Sequence, residues 1–341
     1  MESRVTTKDI ARKAGVNQST VSRALRDDPR LASATRNSLQ ELARKMGYTP
    51  NAAARALSVI RRAKRPVSQH GTLALLLPHV SPGTGGLHTF IELTRAHAMK
   101  LGYKLDLLHF HAPGVTSRQL TRILKARGIG GLLVLPDFAS TRMLKRLQLD
   151  WSLFPAVTLG HALLWPPLHR VSDNHFGNAK RGVRELAALG YRRIGLCVDS
   201  QAASIHADGG WEGGYFIGMQ RVGNAHPPLY YESRLPDSKS LHHWVQRERL
   251  DAIITDSLRC AYGIISSGFK VPEELGITSL MSSPEYPISG INPNHPRVWT
   301  MAVDFLVHLI HSQQRGIPEF PQRILLEGSW IPGKTVRRVN Q

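Results

Sequence analysis

Short apolar runs alternate with stretches of helical pattern along most of this chain, from residue 71 onward. The apolar runs occupy 72–77, 105–110, 131–135, 156–159, 194–198, 252–255 and 277–280, and helical stretches lie near 87–101, 117–127, 176–189, 212–222, 239–249 and 258–267. Because strands that alternate with helices build parallel sheets covered on both faces, the pattern predicts doubly wound α/β sheets. About 270 residues are enough for two such lobes with a ligand cleft between them.

The positive charge of the chain is concentrated near its N-terminus. The 341 residues carry a net charge of +19, and residues 1–65 hold 15 of the basic and 5 of the acidic side chains. More than half of the excess therefore lies in a fifth of the chain, which is a localised electrostatic footprint. Such a footprint predicts a polyanionic partner, most often nucleic acid. The length predicts two or three domains.

The N-terminal residues carry the start and stop signals of short helices. Thr6 and Asp9 have the spacing of a capping box, and Gly15 is placed to end the first helix in a left-handed conformation. Asn17 can cap a second helix, and an apolar stripe at helical spacing predicts a third helix over about 34–46. The sequence therefore predicts an all-helical head before the α/β body.

The first two helices of this head are joined by so short a turn that they must cross closely. Ala11 is the small residue expected at the crossing, and Ile10 and Val21 are expected to fill the shared core. The exposed side of the second helix carries Gln18, Ser19, Thr20, Ser22 and Arg23. Short polar groups and an arginine suit base edges and phosphates, so we favour a helix-turn-helix DNA-binding unit over a generic three-helix bundle.

Two groups of segments match one protein family. In the head they are Thr7-Lys8-Asp9-Ile10-Ala11, Ala14-Gly15-Val16, Ser19-Thr20-Val21-Ser22-Arg23-Ala24-Leu25 and Gly47-Tyr48-Thr49-Pro50-Asn51-Ala52-Ala53-Ala54-Arg55-Ala56-Leu57. In the body they are Asp173-Asn174, Leu189-Gly190-Tyr191-Arg192-Arg193-Ile194, Gly214-Tyr215, Gly218-Met219, Gly223, Thr255-Asp256 and Gly263. These segments resemble the LacI/GalR family of bacterial regulators. The resemblance implies a two-lobed, periplasmic-binding-protein-like body that binds a small effector.

The resemblance also implies how the head contacts DNA. Gln18, Ser19 and Arg23 resemble major-groove readers, and Thr20 and Ser22 resemble phosphate or backbone contacts. Residues 51–58 resemble the family's hinge helix, which is marginal alone and is expected to form only when paired with its dimer mate on DNA. Leu57 resembles the leucine that wedges into the minor groove, although it could be an ordinary packing residue. The expected DNA-contacting residues are Thr7, Gln18, Ser19, Thr20, Ser22, Arg23, Asn51, Ala54, Arg55 and Leu57.

A basic stretch that contains a helix-breaking proline follows the predicted hinge helix. Residues 59–70 contain four basic side chains and Pro66, which indicates a linker close to phosphate. We therefore expect a helix-turn-helix domain at 1–49, a hinge helix and linker at 50–70, and an effector-binding and dimerisation domain at 71–341.

The body departs from the family at the expected effector site. Trp211 stands where the family commonly has an effector-binding arginine, and residues 280–283 replace a Gly-aromatic-Asp-Asp turn. Trp211 could stack on a sugar face or simply pack in the core. The residues expected to face the cleft are His79, His161, Trp211, Thr255 and Asp256, although a single histidine at a strand end is more often an incidental loop residue.

Other patterns bear on rival functions. Cys197 and Cys260 lack metal or redox spacing and are expected to be buried thiols in a reducing cytosol. Residues 328–335 fit the pattern G-x-x-x-x-G-K-T, but too few residues follow to form the phosphate-binding helix. No signal peptide, membrane-spanning run, zinc spacing or strong catalytic motif is visible. We therefore expect no cofactor, no metal, no membrane and no enzyme.

The sequence predicts a cytoplasmic, nucleoid-associated transcription regulator. We expect a homodimer that binds double-stranded operator DNA, represses transcription and responds to a small, sugar-like effector in the inter-lobe cleft. The alternative keeps the family and drops the effector, because both charged anchors are missing: a constitutive DNA binder with a degenerate cleft. A transport solute-binding protein should have a signal peptide and no head. An NTPase would depend on residues 328–335.

Overall fold

The structure is a computed structural model that describes residues 5–25, 28, 30–48, 71–77, 85–109, 116–135, 149–161, 165–198, 208–223, 229–231 and 238–339. It divides into two compact units, Met1–His70 with His308–Gln314, and Gly71–Val307 with Arg315–Gln341. The expected hinge and linker lie outside the described residues, so the domain boundaries stay a prediction.

The described residues of the head form three helices: α1 Thr7–Ala14, α2 Gln18–Ala24 and α3 Ser33–Lys45. The capping box at the start of α1 is confirmed, because Thr6 accepts from the Asp9 backbone while the Asp9 carboxylate accepts from the Thr6 backbone. Gly15 ends α1 in the left-handed region, with φ of 67°. Asn17 precedes α2 but makes no side-chain capping bond, which corrects the predicted cap.

The core of the head lies where the sequence placed it. Ile10 and Val21 are fully buried, and Ala11 is 6% exposed between them. α3 contributes Leu39 and Ala43 to the same cluster. The side-chain amide of Gln40 also donates to the carbonyl of Ala24, over 2.8 Å, which ties α3 to the end of α2.

The body is built on two six-stranded sheets, which confirms the predicted doubly wound α/β class. The sheet of lobe 1 contains β1 Gly71–Leu77, β2 Tyr103–His109, β3 Ile129–Val134, β4 Ala156–Leu159, β5 His169–Asp173 and β11 Arg323–Leu326. These strands run parallel in the order β11-β5-β4-β3-β1-β2. Among its described residues, lobe 1 has the helices α4 Gly85–Lys100 and α5 Ser117–Ala126 and a 3-10 turn at Trp151–Leu153.

The sheet of lobe 2 contains β6 Ile194–Val198, β7 Leu229–Tyr231, β8 Ala252–Thr255, β9 Gly276–Ser279, β10 Gly290–Asn292 and β12 Ser329–Ile331. The strand order is β12-β10-β9-β8-β6-β7, parallel except for the antiparallel pair of β10 and β12. Helices α6 His175–Ala188 and α7 Gly210–Arg221 cover one face. Helices α8 Ser238–Glu248 and α9 Leu258–Ile265 cover the other, where both cysteines are buried as free thiols.

All seven predicted apolar runs overlap strands and all six predicted helical stretches overlap helices, with ends that differ by at most two residues; residue 110 lies outside the described residues. The structure adds β5, β7, β10, β11, β12 and a 17-residue helix, α10 His295–His311. On α10, Trp299 stacks on Phe90 and Asp304 bonds His97, so this helix packs against α4 of lobe 1.

Among the described elements, the chain passes between the lobes three times: from β5 to α6, from β10 to α10, and from β11 to β12. The first and third passages are bonded together. The amide nitrogen of Asn174 donates to Glu327 over 2.6 Å, and the backbone nitrogen of Gly328 donates to Asn178 over 2.8 Å. Asn178 is 1% exposed, so its hydrogen bond with Gly328 is shielded from water, whereas the bond between Asn174 and Glu327 is exposed.

Candidate nucleic-acid interface and lobe-junction site

One face of α2 is apolar and buried, and the other is polar. Val21 and Ala24 are fully buried in the core of the head. Among the predicted DNA contacts, Gln18, Ser19 and Arg23 are exposed, while Thr20 and Ser22 are half-buried. The helix therefore presents amide, hydroxyl and guanidinium groups on its exposed face, and these are groups that can hydrogen-bond base edges and phosphates.

Thr7 belongs to the same surface. The Gln18 side-chain amide donates to the Thr7 hydroxyl over 2.9 Å, so the first turns of α1 and α2 lie side by side. Backbone N–H groups at helix N-termini favour phosphate. No pattern in the sequence connects Thr7 with Gln18, whereas their hydrogen bond joins them in the structure.

The other predicted DNA contacts, Asn51, Ala54, Arg55 and Leu57, lie outside the described residues, as does His79 of the expected effector site. Their roles stay predictions.

A stack of three rings lies at the junction of the two lobes. His161 follows β4 of lobe 1, His175 begins α6 directly after the first passage between the lobes, and Trp211 lies in the first turn of α7. The ring centroids of His161 and His175 are 4.3 Å apart, and those of His175 and Trp211 are 4.7 Å apart. All three residues are at most 8% exposed. The stack therefore connects His161 and Trp211, two of the predicted effector residues, by way of His175, which the sequence does not predict as a site residue.

Glycines allow the close packing that forms this stack. Gly210, Gly214 and Gly218 are spaced four residues apart on α7 and face α6. A Cβ at Gly214 would lie 2.1 Å from the carbonyl oxygen of Phe176, and one at Gly210 would lie 2.9 Å from the Cβ of His175. Only glycine lets α7 approach α6 this closely and set the Trp211 ring against His175.

Asp173, the last residue of β5, bonds both imidazoles. Its backbone carbonyl is 3.1 Å from Nε2 of His161, and its carboxylate is 3.2 Å from Nε2 of His175. Burial raises the pKa of Asp173, but the hydrogen bond with His175 and its charge outweigh this, so the pKa lies below its ordinary value. Burial, followed by the charge of His175, lowers the pKa of His161 to about 4. Burial also lowers the pKa of His295.

The remaining predicted effector residues lie at the carboxyl end of β8. The Thr255 hydroxyl is 3.0 Å from the Ser257 carbonyl and 3.1 Å from the Thr278 carbonyl, so it is used within lobe 2. Asp256 is 3% exposed, and its backbone nitrogen donates to Cys197.

Sequence reasoning missed His175 and Asp173 as site residues. The sequence identifies Asp173-Asn174 only as one of the segments that resemble the family, and it predicts no strand at β5. A strand ending at Asp173 would have placed both side chains at the carboxyl edge of a sheet, where ligand sites of parallel α/β folds lie.

The G-x-x-x-x-G-K-T pattern at 328–335 is not a phosphate-binding loop. Its first half forms β12, and no helix follows it among residues 332–339. The Thr335 hydroxyl donates to the Ile277 carbonyl and accepts from the Ser289 backbone. In the part of the chain that the structure describes, no cluster of three or more His, Cys, Asp or Glu side chains could hold a metal ion, and no helix is long and apolar enough to cross a membrane.

Comparisons with known proteins agree with both units. Residues 6–51 match the model of bacterial regulatory proteins of the lacI family, and residues 183–336 match a periplasmic binding protein-like domain. The regulator NtdR of Bacillus subtilis is 25% identical over 289 residues, covering 79% of this chain and 80% of NtdR. The repressor PurR of Aliivibrio salmonicida is 24% identical over 336 residues, covering 93% and 96% of the two chains.

Solved structures share the fold at low identity. A CelR–cellobiose complex superposes with a TM-score of 0.57 at 20% identity, covering 97% of this chain and 100% of that one. The lac repressor dimer bound to operator and an anti-inducer gives a TM-score of 0.57 at 20% identity, covering 98% and 100%.

A helix-turn-helix head followed by a two-lobed, periplasmic-binding-protein-like body defines a DNA-binding transcription regulator. Its N-terminal domain matches the LacI family of bacterial regulatory proteins, and the similar proteins NtdR and PurR are transcription regulators.

Proposed function

We propose that this regulator is a homodimeric, cytoplasmic repressor whose heads each bind half of a pseudo-palindromic DNA operator. The single observation that carries the proposal is the exposed polar face of α2 opposite a fully buried Val21. Two similar proteins support the repressor and dimer roles by their names: PurR is a transcriptional repressor, and the lac repressor is a dimer bound to operator.

The proposed DNA contacts of the described residues are Thr7, Gln18, Ser19, Thr20, Ser22 and Arg23. Those of the hinge, Asn51, Ala54, Arg55 and Leu57, rest on the family resemblance alone.

The operator can be found by selecting bound sequences from a random double-stranded DNA library. The affinity of Arg23→Ala for the selected site should then fall by about 1–3 kcal/mol if Arg23 contacts a base. Lys45→Ala is the matched control, because Lys45 is an exposed cation of the same head that pairs with Glu41 on α3. Equal affinities of the Arg23 and Lys45 variants would contradict the assignment of α2 as the reader helix.

We further propose that a small effector binds at the lobe junction and shifts DNA affinity. Buried polar groups support this, since His161 and His175 each have a ring nitrogen with no hydrogen-bond partner among the described residues. Structural neighbours are complexes with cellobiose, glucose and ribose. Titration of operator-bound protein with these sugars tests the proposal, and a change in operator affinity is the expected result.

The second candidate is a constitutive DNA binder. The observation that favours it is the ring stack of His161, His175 and Trp211, in which side chains of the protein fill space at the lobe junction. For such a protein, operator affinity should be insensitive to every sugar tested.

A further inference from the structure

The two cysteines of the chain meet in the core of lobe 2. Cys197 is the last but one residue of β6, and Cys260 lies in the first turn of α9, 63 residues further along the chain. Both are present as thiols, and their Sγ atoms are 3.5 Å apart, so one thiol donates a weak hydrogen bond to the other. Their spacing in the sequence gives no sign of this contact.

Such a contact is unexpected for a chain with so few cysteines. Only two of the 341 residues are cysteines. A buried side chain touches about 6–12 others, so two given residues of a chain this long meet by chance in only about 2–4% of cases. An apolar role in the core requires each thiol to be buried, but it does not require the thiols to touch. The contact therefore indicates a chemical role, and the reaction that adjacent thiols share is disulfide formation.

The two sulfurs can bond with little movement of the fold. An S–S bond is about 2.05 Å long, so sulfurs that start 3.5 Å apart must approach by about 1.5 Å, or about 0.7 Å each. Rotation about the Cα–Cβ bond of each cysteine moves its sulfur while the backbones of β6 and α9 stay in place.

The two thiols differ in their access to solvent. Cys197 is 0% exposed, whereas Cys260 is 4% exposed. Cys260 follows the half-buried Leu258 and the exposed Arg259 at the start of α9. This helix has only eight residues, and the ends of short elements open more readily than the centre of a sheet. A small oxidant therefore reaches Cys260 before Cys197.

We propose that Cys197 and Cys260 are a modification site, at which a hydroperoxide forms a reversible disulfide within the folded chain. With hydrogen peroxide, the Cys260 thiolate attacks one oxygen, the O–O bond breaks, and a sulfenic acid and a hydroxide ion form. The Cys197 thiolate then attacks the Cys260 sulfur, so that the S–S bond forms, the S–O bond breaks and a second hydroxide leaves. Two electrons pass from the sulfurs to the peroxide, and the two thiol protons convert both hydroxides to water.

The disulfide holds the turn between β8 and α9 against β6. The Cys197 carbonyl already accepts from the backbone nitrogen of Asp256, and the Ser257 hydroxyl accepts from that of Cys260. A covalent bond between the side chains tethers the same turn through the core and closes a long loop of the chain. Since closing a loop restricts the unfolded chain, oxidation stabilises lobe 2 and slows the opening of α9.

The first test detects the bond itself. Full-length folded protein is treated with hydrogen peroxide, its remaining thiols are alkylated in denaturant, and the chain is digested with trypsin. Trypsin separates the cysteines, because Cys197 falls in the peptide 194–221 and Cys260 in the peptide 260–270. We expect these two peptides to be linked, and dithiothreitol added to the folded protein to separate them. A lack of linked peptides, linkage only in urea-unfolded chains, or disulfides between two chains would overturn the proposal.

Single variants test the order of attack. Cys197→Ser retains the more accessible thiol, and its sulfenic acid should be trapped by dimedone at least about tenfold faster than that of Cys260→Ser. Equal rates, or the reverse order, would contradict the assigned roles. Cys197→Ala and Cys260→Ala repeat the comparison if a buried serine hydroxyl unfolds lobe 2, and the linked peptides need no variant.

Stability shows whether the bond fits the native packing. Oxidation should raise the melting temperature by about 4 °C or more and slow amide exchange at Cys260 and Ala261, and dithiothreitol should reverse both effects. Peroxide also oxidises methionine, so Cys197→Ala treated in the same way is the matched control and should gain no stability. A lower melting temperature of the oxidised parent, or an equal rise in Cys197→Ala, would overturn the proposal.

Discussion

Replacement of Gly214 by alanine tests whether glycine sets the spacing of α6 and α7. The new Cβ would lie 2.1 Å from the carbonyl oxygen of Phe176, which is 0.9 Å shorter than 3.0 Å, the distance below which Cβ atoms are essentially never found. The obstacle is helix backbone and cannot rotate away, so α7 must move. Overpacking of this kind costs roughly 1–3 kcal/mol, and a rigid obstacle belongs at the upper end of that range.

The intrinsic helix preference of alanine offsets part of this cost. Alanine is favoured over glycine inside a helix by about 1 kcal/mol, which leaves a net destabilisation of about 2 kcal/mol for Gly214→Ala. For a folding unit of about 150–250 residues, each kcal/mol lowers the melting temperature by about 2–4 °C, so Gly214→Ala should lower it by about 4–8 °C.

Gly213→Ala is the matched control, one residue earlier on the same helix. A Cβ at Gly213 would lie 3.4 Å from the Phe176 ring, an ordinary contact, so this variant should gain up to about 1 kcal/mol. Urea unfolding of the two variants should thus differ by about 3 kcal/mol. A difference below about 0.5 kcal/mol would refute the reasoning, since the backbone obstacle would then have no energetic effect.

Three further outcomes are expected. Thr6→Ala removes the capping box and should destabilise α1 by about 1 kcal/mol, seen as faster amide exchange confined to the head of the full chain; unchanged exchange would contradict it. Burial lowers the pKa of His161 to about 4, so below the ordinary histidine pKa of about 6.5 the unfolded chain binds more protons than the folded chain. The contribution of a neutral His161 to the free energy of unfolding should therefore be fully present above about pH 6.5 and should decrease as the pH falls toward 4. In His161→Asn, the melting temperature should fall less steeply with falling pH. Part of the fall should remain, because the pKa of His295 is also lowered. Thr335→Val should lower the melting temperature, because it removes two buried hydrogen bonds. Lys334→Ala should leave the melting temperature unchanged, and in a filter-binding assay we expect neither the parent protein nor this variant to retain nucleotide.

Local signals predicted the head and much of the body. The capping box of α1 and the left-handed Gly15 depend on residues three to nine positions apart, so the sequence contains them directly. The predicted strands of lobe 2 are apolar because helices cover both faces of its sheet.

The missed elements are held by distant partners. β5 is a buried strand of the sequence HRVSD, and four of its five residues are polar. Its polar groups are satisfied by tertiary contacts, such as that of Asp173 with His175, which no local pattern reveals. α10 begins with His295 and Pro296, and proline near a helix start resembles a loop signal.

The ring stack could not be predicted for a related reason. His161, His175 and Trp211 are distant in sequence, and their contact depends on how closely the glycines of α7 approach α6. The sequence predicts that His161 and Trp211 face one cleft, but the packing of α7 on α6 is what brings both rings into contact with His175.

The three passages between the lobes determine when each lobe can be completed during synthesis. β11, the edge strand of lobe 1, ends at Leu326, and β12 of lobe 2 follows at once. A ribosome must therefore deliver the chain as far as Leu326 before the lobe 1 sheet has strand β11, and as far as Ile331 before the lobe 2 sheet has strand β12, whereas the three helices of the head end by Lys45. During that interval the partner edges on β5 and β10 are unpaired, and unpaired edges invite association between chains. Chains truncated near residue 320 should accordingly keep a folded head while both lobes remain unfinished and prone to aggregation.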